Sequence, residues 1–340
     1  MNDRILQLIA EIDEFKGFWN GMQSLPEASL QSLRRFATIE SVGSSTRIEG
    51  ARLTDAEVAV LLAGIDIQSF RTRDEQEAAG YADAMRVVYE SWRHMELTES
   101  MIRSLHKTLL QHSAKDEWHL GNYKTLANHV AAFDEQSKQI GVVFETASPF
   151  ETPQAMAALV EATRRTLENR ERHPLLSIGE FVVHFLAIHP FQDGNGRLSR
   201  VLTTLLLLRA GYDYVPFNSL ERLVEANKAR YYQALRNSQV TDPKESADTT
   251  AWLEFFLEML MRQKELLRKA IEREQRVAVL PSPLSEILEI AREHGSLQVA
   301  DVVRVQSIGR NTAKKRLQRL VELGELHLIG KGRGARYRPK

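Results

Sequence analysis

The chain contains no cysteine. That excludes disulfides, a thiol nucleophile, Cys-ligated zinc and iron–sulfur clusters, and it leaves no mark of an oxidising compartment. Net charge is also missing, because 45 Lys and Arg balance 45 Asp and Glu. A polybasic nucleic-acid coat and an acidic disordered chain are both excluded. There is no long hydrophobic run: the richest apolar stretches, 181–191 and 201–208, fall short of the roughly 20 residues that span a bilayer. Asp3, Arg4, Glu11, Asp13 and Glu14 interrupt the first fifteen residues, which is the pattern of an amphipathic helix and not of an export signal. The expectation is a cytoplasmic protein with no membrane partner.

What is present is helical periodicity, in a length that suits about two domains. Ile5, Leu8, Ile9, Ile12 and Phe15 recur at helical spacing, as do Met156, Leu159, Val160, Thr163 and Leu167. Residues 178–188 are apolar nearly all round, so that helix belongs inside a bundle. A second apolar helix runs from Leu198 to about Arg209 and stops at Gly211. Two buried helices joined by a short Gly-rich turn predict an all-α domain. Residues 139–149 depart from the pattern with β-branched residues and turn formers, and predict a short β-hairpin projecting from the bundle.

The turn between the two buried helices reads His189-Pro190-Phe191-Gln192-Asp193-Gly194-Asn195-Gly196-Arg197-Leu198-Ser199-Arg200. Gly194-Asn195-Gly196 opens a helix, where exposed N–H groups and the helix dipole favour an anion. Arg197 and Arg200, three residues apart, share one side of the first turns. Two guanidinium groups beside such a terminus suit a polyphosphate. Asp193 would repel bare phosphate, and a shared Mg²⁺ resolves that conflict. His189, ending the preceding helix, has the unperturbed pKa of a general base at neutral pH. The loop alone therefore points to a Mg·nucleotide site and transfer at phosphorus.

The loop also resembles the signature of the Fic (Fido) family, His-Pro-Phe-x-(Asp/Glu)-Gly-Asn-Gly-Arg-x-x-Arg, and matches every defined position in 189–200. The resemblance covers roughly residues 30–260. It implies a protein adenylyltransferase with ATP as substrate and Mg²⁺ as cofactor. His189 would deprotonate a Ser, Thr or Tyr hydroxyl of a target protein, and Asp193 would hold Mg²⁺. Gly194, Asn195 and Gly196 would cradle the phosphates, with Asn195 on the α-phosphate, and Arg197 and Arg200 would bind the rest. Phe191 would anchor the loop by packing. The flap backbone at Val142, Val143 and Phe144 would pair with the target as an added strand. Tyr231, Tyr232 and Gln239, with Asn237 nearby, fall where the family binds adenine, although core packing explains the tyrosines equally well. Family helices often support a homodimer. Gly196, where phosphotransferase members place Lys, favours nucleotidyl transfer.

A second segment, Ser44-Ser45-Thr46-Arg47-Ile48-Glu49-Gly50, closes a helix that spans about 27–50. An acidic residue at a helix C-terminus opposes the macrodipole and needs a partner elsewhere. Ser45, Glu49 and Gly50 also resemble the inhibitory motif (Ser/Thr)-x-x-x-Glu-(Gly/Asn) of Fic proteins. That resemblance implies that Glu49 pairs with Arg200, occupies the γ-phosphate site and autoinhibits the enzyme, or that it positions water for removal of AMP.

After a long helix from about Trp252 to Arg276, Leu280-Pro281-Ser282-Pro283 reads as a linker. Ser282 is expected to cap the next helix with Pro283 at its first position, and Ser307 to cap a third. Three helices and a small hairpin predict a winged helix-turn-helix. From Ser307 onward ten Lys and Arg face two acidic residues, a footprint for the phosphates of duplex DNA. The domains expected are thus 1–110 with the inhibitory helix, a Fic-type catalytic bundle over 111–276, and a winged helix over 281–340. Two alternatives remain: a DNA-binding regulator whose Fic domain senses nucleotide, and a Fic enzyme with another nucleotide donor.

Overall fold

The computed structural model describes residues 3–22, 25–64, 70, 72–133, 139–238, 248–278, 280–330 and 332–339. Gln239 lies outside these, as do the side chains of the flap residues Val142, Val143 and Phe144. The chain divides into two compact units, Met1–Leu267 and Arg268–Lys340.

Among the described residues the regular elements of the first unit are helices and one hairpin. In chain order come α1 (Asp3–Gly21), α2 (Glu27–Ile48), α3 (Asp55–Ala63), α4 (Arg73–Ser91) and α5 (Glu99–Leu110). The hairpin β1 (His129–Phe133) and β2 (Gln139–Glu145) precedes α6 (Thr152–Glu168), α7 (Pro174–Ile188) and α8 (Asn195–Arg209). Then follow α9 (Leu220–Ala226), α10 (Lys228–Asn237) and α11 (Thr250–Ala278), whose last turns belong to the second unit. No helix among the described residues is long and apolar enough to cross a membrane.

Helices α7 and α8 form the centre, as their composition predicts. Leu175, Ile178, Phe181, Phe185, Leu198, Leu202 and Leu205 are all buried. Thr54 and Thr72 each close a capping box with the Glu three residues later, so α3 and α4 begin at fixed points. Gly80 on α4 lies against the Leu109 carbonyl of α5, and a Cβ there would collide with it. Glycine lets these two helices cross at close range.

The hairpin differs from its expectation. Residues 139–145 are its second strand and pair antiparallel with 129–133, from His129 opposite Glu145 to Phe133 opposite Gln139. The first strand, with two alanines and only five residues, lacks a strong strand composition.

The second unit packs α12 (Ser282–His294), α13 (Val299–Gln306) and α14 (Arg310–Glu322) against the hairpin β3 (Leu326–Ile329) and β4 (Arg336–Pro339). Ile287, Leu288, Val302, Leu317, Leu320 and Leu326 make its core. Leu297 forms an isolated antiparallel bridge to β4 through reciprocal backbone bonds with Tyr337 at 2.9 and 2.8 Å. Two caps differ from expectation. Pro281 occupies the N-cap of α12 and Ser282 is already helical, its hydroxyl donating to Glu286 instead. Ser307 ends α13 in a left-handed conformation, and Gly309 precedes α14.

Candidate active site

The turn from α7 to α8 is built by three locks. His189 ends α7 with φ +51°, a left-handed conformation uncommon outside glycine. Gly194, at φ +80°, restarts the chain as the N-cap of α8. Between them Asn195 reaches back, accepting from Phe191 N–H at 2.9 Å and donating to Phe191 carbonyl at 2.7 Å. Its amide is thus committed at both ends to holding the loop, with only 2% of the residue exposed. One Nδ2–H is used on the Phe191 carbonyl, and the amide carries a second. The buried Phe191 ring stacks on His106 with centroids 3.9 Å apart, the anchor its position suggests.

His106 of α5 is a support that sequence reasoning missed. Its Nδ1 accepts from Gly121 N–H at 3.0 Å, so its Nε2–H donates to the Asp193 carbonyl, also at 3.0 Å. Burial pushes its pKa down to about 4, which keeps it neutral.

His189 donates from Nδ1 to the Leu186 carbonyl at 3.3 Å, which fixes the tautomer that leaves Nε2 a bare acceptor. Burial, followed by the charge of Lys124, lowers its pKa to about 4. Lys124 is the second missed support. Its ammonium donates to Asn128 Oδ1, Thr146 Oγ1 and the Ile188 carbonyl at 2.8 to 2.9 Å. It thereby ties the end of α7 to the base of the hairpin, and burial lowers its own pKa to about 8.

The charged groups form a closed ring. Asp193 Oδ1 accepts from Gly194 N–H at 2.6 Å and lies 3.5 Å from Arg197 Nη2, while Oδ2 accepts from Arg73 Nη2 at 2.8 Å. Arg73 also pairs with Glu77 at 2.7 Å, and Glu77 stands 3.4 Å from Arg197. Burial raises the Asp193 carboxyl, but Arg197, the Gly194 N–H and Arg73 together hold it below the usual range. Neither Arg73 nor Glu77 was foreseen.

Glu49 meets Arg200 as expected. Arg200 donates from Nη2 to Glu49 Oε1 at 2.8 Å and from Nε to Ser45 Oγ at 2.8 Å. Its Nη2 also donates to the Ser45 carbonyl at 2.9 Å. Burial disfavours the Arg200 charge, but Glu49 together with Tyr231 and Tyr81 more than offsets this and the pKa is raised. The carboxylate lies directly over Gly196, where any Cβ would collide with it. The end of α2 is held by Arg47, bonded to both Glu225 oxygens at 2.6 and 3.0 Å.

A cavity of about 450 Å³ joins these groups, lined among others by Glu49, Arg73, His189, Asp193, Gly196, Arg197, Tyr231 and Tyr232. Tyr231 also packs edge-on against Trp252, so it serves the core and the cavity wall at once. Arg197 Nε and Nη1 and Arg200 Nη1 are buried with no hydrogen-bond partner, which suits a site awaiting an anionic ligand. Among the described residues no cluster of three His, Cys, Asp or Glu could hold a metal. One carboxylate, Asp193, fits a Mg²⁺ whose other ligands are phosphate and water.

A helical domain with a glycine-rich anion loop between two core helices defines the class. Residues 96–207, about a third of the chain, match the Fic/DOC family model. Residues 287–340 match the C-terminal domain of the DIP2311-like transcriptional regulators. Curated relatives include protein adenylyltransferase Fic of Drosophila grimshawi, 26% identical over 214 residues, 62% of this chain and 40% of that protein. Protein adenylyltransferase fic-1 of Caenorhabditis elegans is 24% identical over 242 residues, 69% of this chain and 43% of that protein. The chain thus spans about two fifths of the length of the curated relatives it matches. Among solved structures, a Fic family protein from Desulfovibrio desulfuricans G20 aligns with a TM-score of 0.64 and 25% identity, covering 100% of this chain and 97% of that one.

Proposed function

We propose that the protein transfers AMP from ATP to a Ser, Thr or Tyr hydroxyl of a target protein and of itself, and that Glu49 restrains this activity. The observation that carries the reading is the Glu49–Arg200 pair set over Gly196. An internal carboxylate there fills the cradle that two arginines and a helix N-terminus would offer to phosphate.

His189 Nε2 takes the proton of the acceptor hydroxyl. The oxygen attacks the α-phosphorus, the α–β phosphoanhydride bond breaks and pyrophosphate leaves. Arg197 and, once Glu49 withdraws, Arg200 offset the charge that develops on the leaving group. Asp193 would hold Mg²⁺, which when bound neutralises phosphate charge. The target segment would add as a strand along β2 at Val142–Phe144, placing its hydroxyl near His189. Asn195 fixes the loop and would offer its second amide N–H to the α-phosphate, beside the backbone N–H groups of the α8 terminus.

The test is label transfer from α-³²P-ATP with Mg²⁺ to wild type, Glu49→Gly, and Glu49→Gly with His189→Ala. Strong label on Glu49→Gly that disappears with His189→Ala is expected. No label on any of them, with nucleotide still bound, would favour the nucleotide-sensing regulator. Competition by unlabelled UTP or GTP reports the base preference. Chasing labelled Glu49→Gly with wild-type protein reports whether Glu49 also supports AMP removal.

A second partner follows from a separate observation. Arg310, Lys314 and Lys315 begin α14 and line a groove with the hairpin. None of the three has a charge partner among the described residues. We infer that this face contacts the phosphates of duplex DNA.

A further inference from the structure

This inference rests on the adenylyl-transfer reading and deepens it. The cavity is lined by Glu49, Asp74, Glu77 and Asp193 against Arg73 and Arg197. With Glu49 taken up by Arg200, three carboxylates face two guanidinium groups, so a bare polyphosphate gains less from this lining than a metal-bound one. Asp193 is the carboxylate at the mouth of the anion loop, and it does not stand uncompensated.

Its two oxygens are held differently. Oδ1 is turned to the loop, where Gly194 N–H and the buried Arg197 hold it. Oδ2 is held by Arg73 at 2.8 Å. Arg197 is 2% exposed and fixed, but the Arg73 side chain is 47% exposed and Asp193 37% exposed. A pair that wet is weak and opens readily. Arg73 has a second carboxylate to keep it, because Glu77 lies one turn along α4 at 2.7 Å. Its backbone is pinned at the first position of α4 by the Thr72 capping box. So Arg73 can leave Asp193 without leaving the site, and Asp193 cannot escape Arg197.

We propose that Arg73 is a placeholder for the divalent cation, neutralising Asp193 Oδ2 while the site is empty and yielding that oxygen when a metal arrives with the nucleotide. No bond is made or broken; one ion pair is exchanged for a metal–carboxylate contact. A competitor for Oδ2 weakens metal coupling by the extent to which it occupies the oxygen. Removing it strengthens metal-assisted binding. It also weakens metal-free binding, because Asp193 then faces the polyphosphate without its neighbour.

The experiment measures the affinity of the α,β-methylene analogue of ATP, which cannot release AMP, by calorimetry in saturating Mg²⁺ and in EDTA. All variants carry Glu49→Gly so that the phosphate cradle is open. Arg73→Met should raise the Mg²⁺/EDTA affinity ratio by about threefold or more, and Arg73→Lys should fall between Met and the parent. With Asp193→Asn added, Arg73→Met should change the ratio less than about twofold. A ratio unmoved by Arg73→Met in a folded protein overturns the proposal. So does an equal loss of affinity in both buffers, which would make Arg73 a direct phosphate ligand. No binding by any variant would overturn the nucleotide reading itself and this inference with it.

Discussion

Glu49 closes a helix whose dipole disfavours it, and Arg200 reverses that penalty. Removing the carboxylate leaves Arg200 buried, with the two oxygens of Ser45 and the Tyr231 hydroxyl still beside it. Glu49→Gly is therefore expected to raise automodification at least about tenfold while lowering the melting temperature, measured by labelling and by calorimetry on the same preparation. Lys124 acts on His189 from the other side. Its charge helps hold the His189 pKa near 4, so Lys124→Met should move the acid limb of the pH–rate profile of the Glu49→Gly protein upward, by about half a pH unit or more. An unmoved limb with reduced rate would make Lys124 purely structural. His106 gives a stability signature. Its folded pKa of about 4 lies below the unfolded value near 6.5. Below pH 6.5 the unfolded chain binds the proton preferentially, so its contribution is complete above that pH. It is lost as pH falls toward 4, by about 3 kcal/mol. Denaturant titrations at pH 7, 5.5 and 4.5 check this. At this scale the sequence exposed what was contiguous: the loop 189–200 and the Ser45–Glu49–Gly50 triplet. It hid Arg73, His106 and Lys124, because each reaches the loop across 64 to 120 residues of chain and a lone cation or histidine on a helix carries no local signal.

The helices that hold the site depend on close backbone approach. Gly80→Ala would force α4 away from α5, and these helices carry Arg73 and His106. A loss of about 1–3 kcal/mol is expected, together with weaker nucleotide binding. Melting curves and calorimetry separate a local from a general effect. Elements were legible where composition was extreme. The buried α7 and α8 announce themselves by unbroken apolar faces, and glycines 211, 295 and 324 mark helix ends, all with positive φ. The first flap strand was not legible, because its two alanines favour helix over strand and the pairing that stabilises it is with β2. The N-caps at Ser282 and Ser307 misled for a related reason. A serine is a cap only where tertiary packing starts the helix, and Pro281 and Gly309 already set those starts.

At the scale of the molecule, two compact units with different chemistry share one chain. The balanced total charge conceals a basic second unit. If Arg310, Lys314 and Lys315 each neutralise a phosphate, binding of the full chain to a duplex should weaken with salt at a log–log slope of about −3. Replacing all three with alanine should abolish the mobility shift of a duplex in native gels at low salt. Retention of DNA binding by that triple variant would remove α14 as the interface.

The placement of Glu49 carries a last consequence. Its carboxylate belongs to the same chain as the cradle it fills, with α2 fastened by Arg47 to Glu225. On the reading proposed above it is a tethered competitor at a fixed local molarity, independent of how much protein the solution holds. Dilution will not relieve it, and raising ATP outcompetes it only as far as the nucleotide exceeds that local molarity. Relief must come from something that favours the withdrawn position of α2 over the docked one.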